Sequence, residues 1–199
     1  MKTQRETYIQ TLMANREVLE DYGRSIGLER GPRTSRDKYL MECFSRYLAE
    51  QVVAKEFPSI VKAVQEVFFN HWDVTLDYGD EYVGIESKFR LATSDNYPTD
   101  DISFKKGSWD DVQGKPILVV CTFTDGVVRA YDVNGRWNEG EWVHNETTGT
   151  EYGRENTKVS ETKIIFSHED CVFEIRIHVP PINGKKWTES EFSFKRGRT

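Results

Sequence analysis

The chain has 199 residues, of which 37% are hydrophobic and 30% charged, and its formal net charge is −6. With 11 Phe, 9 Tyr and 5 Trp it has enough apolar bulk for a core, which excludes a disordered composition. No apolar run approaches the roughly 20 residues of a membrane span, so no membrane partner is expected. Residues 4–26 read as one helix, with Tyr8, Ile9, Leu12, Met13, Leu19, Tyr22 and Ile26 at helical spacing and Gly27 as the stop. Gly31-Pro32 marks a break, after which Thr34 or Ser35 can cap a helix over residues 36–55. Its apolar stripe is Tyr39, Leu40, Cys43, Phe44, Tyr47 and Leu48. Pro58 suits the first turn of a third helix with Ile60, Val64, Val67 and Phe68 inward.

The chain then turns to strands. Residues 72–89 read as a hairpin, and Ile117–Phe123 as an apolar strand. A Thr124-Asp125-Gly126 turn leads to strands near 127–133, 162–167 and 171–179. Residues 134–160 read as a long loop or irregular hairpin, and Pro180-Pro181 with Asn183-Gly184 closes the last strand. The organisation expected is an N-terminal helix over 1–30, a core over 31–133, and a β-rich extension over 134–199 packed on the same domain.

Cys43, Cys121 and Cys171 are odd in number, lack Cys-x-x-Cys spacing and sit among apolar residues, which suits buried thiols in a reducing cytoplasm. The first residues, Met1–Glu6, have no signal-type apolar core. The negative net charge does not favour nucleic-acid binding, but its distribution is uneven. Arg24, Arg30, Arg33, Arg36 and Lys38 cluster near the Gly-Pro break, and Lys185, Lys186, Lys195, Arg196 and Arg198 near the C-terminus. They form either a basic rim for a phosphate backbone or ordinary solvated loop charges.

The hairpin carries the chemistry. Strand side chains alternate between faces, so Val83, Ile85, Ser87 and Phe89 point one way and Glu86 and Lys88 the other. On the first strand Trp72, Val74 and Leu76 share a face opposite Asp73, Thr75 and Asp77. If Gly79-Asp80 centre a type II′ turn, paired residues sum to 159 and Asp73 lies opposite Glu86, about 4.5–5.5 Å apart at Cβ. If Tyr78-Gly79 are the centre, Asp73 reaches Glu86 diagonally, at roughly 7–8 Å. Asp77 stays near the turn in both, roughly 13 Å away along the strand. Asp73 with Glu86 is therefore the metal-binding pair to test, against the plainer reading of solvent-facing charges on an amphipathic hairpin.

Asp-x12-Glu-x-Lys across a hairpin preceded by helices, with Trp72 where the motif usually has proline, resembles the PD-(D/E)xK nuclease superfamily. Downstream, Ser94–Thr99, Ile102–Lys106 with Trp109, the 117–123 strand and the Val127–Asp132 strand resemble small, phage-type members, over roughly residues 35–133. The resemblance implies an α+β chain with an α/β core: N-terminal helices packed on a central mixed β-sheet, restriction-endonuclease-like, with a β-rich C-terminal elaboration. It implies a metal-dependent deoxyribonuclease in which Asp73, Glu86 and Lys88 are catalytic and Asp73, Glu86 and the Ser87 carbonyl hold Mg²⁺ or Mn²⁺. The superfamily often adds an acid from the helix at the position of Glu42, although Arg46 four residues on makes a surface pair the competing reading.

Arg36, Arg90, Lys105 and Lys106 are candidates for holding the DNA backbone, and one site per chain implies a homodimer if both strands of a duplex are cut. His71 stands at the start of the hairpin, where it could touch substrate or fill the strand's end. His144, His168 and His178 have no ligand spacing. Two other classes compete. One is a catalytically inactive protein of the same fold that serves as a nucleic-acid-binding or interaction module. The other is an unrelated α+β structural protein whose hairpin charges are merely solvated.

Overall fold

Every residue of Ile117–Phe123 is buried, and this strand is the centre about which the molecule is layered. A run so uniformly apolar suits a strand covered on both faces and hydrogen-bonded on both sides. The computed structural model describes residues 2–56, 74–75, 84–105, 117–133, 136, 141–147 and 157–194; at 74–75, 103–105, 141–147 and 157–163 only the backbone is described. Among these residues the helices are α1 (Gln4–Ala14), α2 (Arg16–Ser25) and α3 (Arg36–Glu56). The strands are β1 (Val74–Thr75), β2 (Gly84–Arg90), β3 (Thr99–Lys105), β4 (Ile117–Phe123), β5 (Val127–Asp132), β6 (Glu141–Thr147), β7 (Thr157–Ser167) and β8 (Phe173–Arg176). The chain is of the α+β class.

A five-stranded sheet has the order β1-β2-β4-β5-β8, and a three-stranded sheet the order β3-β7-β6. The first is mixed: β2 and β4 run parallel, and the other pairs are antiparallel. A parallel pair needs a crossover, and here the chain between β2 and β4 contributes β3 to the second sheet. The helices cover one face, where Ala49, Val52 and Val53 of α3 pack on Ile85, Leu118, Val120, Val128 and Ala130. The second sheet covers the other, burying Val119, Cys121, Phe123 and Tyr131 against Ile102, Ile164 and Phe166. The alternation of β4 between these two clusters is the strand period written in burial.

The 4–26 helix is interrupted. Asn15 ends α1 and starts α2 because its side chain is engaged elsewhere: its amide donates to Thr11 O at 2.8 Å and to Lys185 O at 2.9 Å, and its oxygen accepts from Trp187 N at 2.7 Å. Gly27 does stop α2. It holds φ 73°, while Leu28 N bonds to Gly23 O at 2.8 Å in a Schellman-type closure. The segment 177–194 has no regular element but seats Trp187 and Phe192 among Tyr8, Tyr22, Phe44 and Tyr47 on the helix layer. Asn15→Ala is expected to cost about 2–4 kcal/mol, because two backbone groups of this segment lose a buried partner. A urea midpoint equivalent to less than about 0.5 kcal/mol of loss would show that the clasp holds nothing.

Other boundaries also moved. The strand expected at 171–179 is only Phe173–Arg176, and the one at 162–167 begins at Thr157. Within 134–160, β6 pairs antiparallel with β7, as an irregular hairpin would. β3 has no counterpart among the predicted strands. Its sequence Thr-Asp-Asp-Ile-Ser-Phe-Lys is mostly polar, and its pairing with β7 lies some 60 residues away. The helix expected from Pro58 lies outside the described residues. No described helix is long and apolar enough to cross a membrane.

Gly126 closes the β4–β5 turn with φ 81°, and an added Cβ would meet Ile177 O at 2.4 Å. Both a left-handed backbone and close approach exclude other residues there.

Candidate active site

β2 is built as its alternation requires. Ile85 and Ser87 are buried toward the helices, and Phe89 packs edge-on against Phe44 at 5.3 Å between centroids. Glu86, Lys88 and Arg90 take the opposite face, beside Val119, Cys121 and Phe123, their register partners on β4. The second sheet covers β4 and β5 on this face, and β2 lies toward its rim. Glu86 keeps 18% and Lys88 29% of its side-chain surface accessible, so both reach water. Lys88 Nζ donates to Glu86 Oε1 at 2.6 Å.

The register of the hairpin is the one that sums to 159: Val74 pairs with Ile85 and Thr75 with Gly84. That is the register expected of a Gly79-Asp80 turn. Asp73 itself lies outside the described residues, as do the turn, His71 and Lys106.

Deeper on the same face the polar groups continue. Arg90 donates to the backbone carbonyl of Asp101 on β3, which ties the end of β2 to the second sheet. Cys121, the partner of Lys88, has its thiol pushed up to about 12, first by burial and then by the nearby Asp100 carboxylate, against the pull of Arg90 and Lys88. A thiol so held stays protonated and is no nucleophile. Asp100 is 2% exposed and accepts from Tyr131 Oη at 2.5 Å, with Arg129 Nη1 at 3.8 Å and His168 Nε2 at 3.9 Å. Burial, then the bond to Asp100, raises the Tyr131 phenol well above its usual range. Arg129 is also anchored by Glu174 of β8 at 2.8 Å.

The remaining expected residues are spread apart. Glu42 lies on α3 beside Arg46, at 3.9 Å, on the helix side of the sheet. Glu86 projects from the other side, so the two acids are not brought together, and the competing surface pair is what forms. Arg36 sits at the start of α3, 3.5 Å from Glu20. It is roughly 20 Å along the helix from Ala49, where α3 packs on Ile85, at 1.5 Å per residue. Lys105 ends β3 opposite Glu161 of β7. Among the described residues no group of three or more His, Cys, Asp or Glu side chains could hold a metal ion. Cys43, Cys121 and Cys171 are all free thiols.

The Asp100 network escaped sequence reasoning. Arg129, Tyr131 and His168 stand 29, 31 and 68 positions from Asp100, and His168 has no ligand spacing. Compared with known proteins, the chain matches no family model, no curated protein and no solved structure.

Proposed function

We propose that the chain is a metal-dependent deoxyribonuclease of restriction-endonuclease-like fold, in which Glu86 and Lys88 with Asp73 form a PD-(D/E)xK-type site. The observation that carries this reading is the pair itself: an acid and an ammonium, two residues apart on one strand, 2.6 Å apart and open to water at a sheet rim. The register sum of 159 supports it too, since the same register continued by one residue would set Asp73 against Glu86.

The donors present fit a hard divalent cation in kind, because a carboxylate and a strand carbonyl are oxygen ligands. Glu86, Asp73 and the Ser87 carbonyl would hold Mg²⁺ or Mn²⁺. Bound there, the ion supplies a water of lowered pKa and neutralises charge on the scissile phosphate. Lys88, released from Glu86 as the carboxylate turns to the cation, would orient the attacking water and contact a phosphate oxygen as a compact point charge. The new bond is from water oxygen to phosphorus, the P–O3′ bond breaks, and the product keeps a 5′-phosphate. Arg90, held by the β3 backbone, is a fixed charge next along the strand for the DNA backbone. Cutting both strands of a duplex would call for a homodimer.

A second reading has its own support. The Lys88–Glu86 bond satisfies both charges internally, as it would in an inactive nuclease-like module that binds nucleic acid or protein.

The test uses plasmid, linear and single-stranded DNA with Mg²⁺, Mn²⁺ or EDTA. Cutting with either ion and none in EDTA is the expected result. DNA retained but uncut under every condition would favour a nucleic-acid-binding module, and no interaction with any DNA would overturn the nuclease reading and leave only a protein-binding module.

A further inference from the structure

Among the described residues the exposed large apolar side chains are Met13, Tyr97, Ile165 and Val172, and Tyr97 is the aromatic one. Its place is specific. The Tyr97 ring lies on the Phe123 ring at 6.0 Å between centroids and 42° between planes, and 43% of Tyr97 stays exposed. Phe123 is the register partner of Arg90 on the face that carries Glu86 and Lys88. Tyr97 therefore stands at the end of the Glu86–Lys88–Arg90 row, on the same side of the sheet. From Glu86 to Arg90 is four residues, about 13 Å at 3.3 Å per residue.

The loop that presents the ring is pinned. Ser94–Asn96 is a 3-10 turn closed by Thr93 and Asn96, and both the amide and the hydroxyl of Ser94 donate to Asp125 Oδ2 at 2.9 Å. Thr124 N bonds to Ala92 O at 3.0 Å. Tyr97 itself is extended, as the residue before Pro98 must be. A rigidly backed aromatic with an open side has already met the ordering cost that a flexible one would meet on binding.

Resting on the nuclease reading above, we infer that Tyr97 is a stacking platform for an unpaired base, and that the preferred substrate is single-stranded or tailed DNA. The bases inside a duplex have both faces taken by their neighbours. Only a single-stranded or frayed nucleotide can lay its ring on a protein aromatic. Lys88 and Arg90 would hold the phosphates between that base and the bond cut at Glu86.

Wild type, Tyr97→Ala, Tyr97→Leu and Tyr97→Phe are compared in Mg²⁺ on a (dT) oligonucleotide, a duplex with a single-stranded tail and a blunt duplex. Tyr97→Ala is expected to cut the first two about tenfold more slowly, from the loss of one base stack, with blunt-duplex cutting unchanged. Tyr97→Phe keeps the ring and should match wild type. Tyr97→Leu keeps apolar cover on Phe123 without a π-face and should match Tyr97→Ala, which separates stacking from a folding defect. Equal rates for all four proteins, an equal loss on all three DNAs, or a wild type that cuts only the blunt duplex would overturn the inference while leaving the nuclease reading intact. A wild type that cuts none of the three, with Mg²⁺ or Mn²⁺, would remove the nuclease reading and Tyr97's role with it.

Discussion

On the proposed metal site, Glu86→Gln is expected to lower Mg²⁺-dependent DNA cutting by at least about 10³-fold, because it would remove a charged ligand from an ion that would supply several kcal/mol of transition-state charge stabilisation, at 1.36 kcal/mol per tenfold. Lys88→Met should cost about 10²–10³-fold, the range for losing one preorganised charge donor. The double variant should fall little below Glu86→Gln alone, since residues that act as one unit do not lose activity additively. Stability should fall far less than activity. The Glu86–Lys88 pair is part-buried, so removing one partner should cost about 1–3 kcal/mol. Activity and urea midpoint should therefore separate: a large loss of cutting in a protein that still folds. Variants that cut DNA as wild type does would place the activity elsewhere or in a contaminant.

The face that this prediction depends on was legible in the sequence, because it rests on strand alternation. Ile85, Ser87 and Phe89 do turn to the helices, and Glu86 and Lys88 turn away. The 117–123 strand was legible for a related reason, since a run in which only Thr122 is polar does not suit a half-solvated strand. Chemistry that depends on distant partners was not. Asn15 breaks a helix whose local periodicity is intact, because its partners Lys185 and Trp187 are about 170 positions away. Glu42 has a helical neighbour, Arg46, and a possible distant one, Glu86. Local spacing offers both, and only the layering of α3 on the Ile85 face separates them. β3 was missed although Asp101-Ile102-Ser103-Phe104-Lys105 alternates polar and apolar, because the alternation is short, polar Asp100 breaks it, and the partner strand β7 is distant in sequence.

Asp100→Ala is expected to lower stability by about 3–5 kcal/mol, the cost of removing one partner from a buried charged pair. Asp100 stands near the start of β3 and reaches Tyr131 and Arg129 on β5 and His168 after β7, so one carboxylate bolts the second sheet to the first. Its removal leaves Arg129 with Glu174 alone, and Glu174 is at the surface, with 53% of its side chain exposed. Tyr131→Phe removes one bond to a charged acceptor and should cost less, about 1.5–3 kcal/mol. Asp100→Leu combined with Arg129→Met should be more stable than Asp100→Ala, because both charges leave together and apolar bulk replaces them. Urea unfolding of the four proteins measures the series, and an Asp100→Ala midpoint within about 1 kcal/mol of wild type would show that the carboxylate does not hold the sheets. The same bolt bears on the site. β3 carries the Asp101 carbonyl that fixes Arg90, so loosening the sheets should weaken DNA cutting even where Glu86 and Lys88 are untouched.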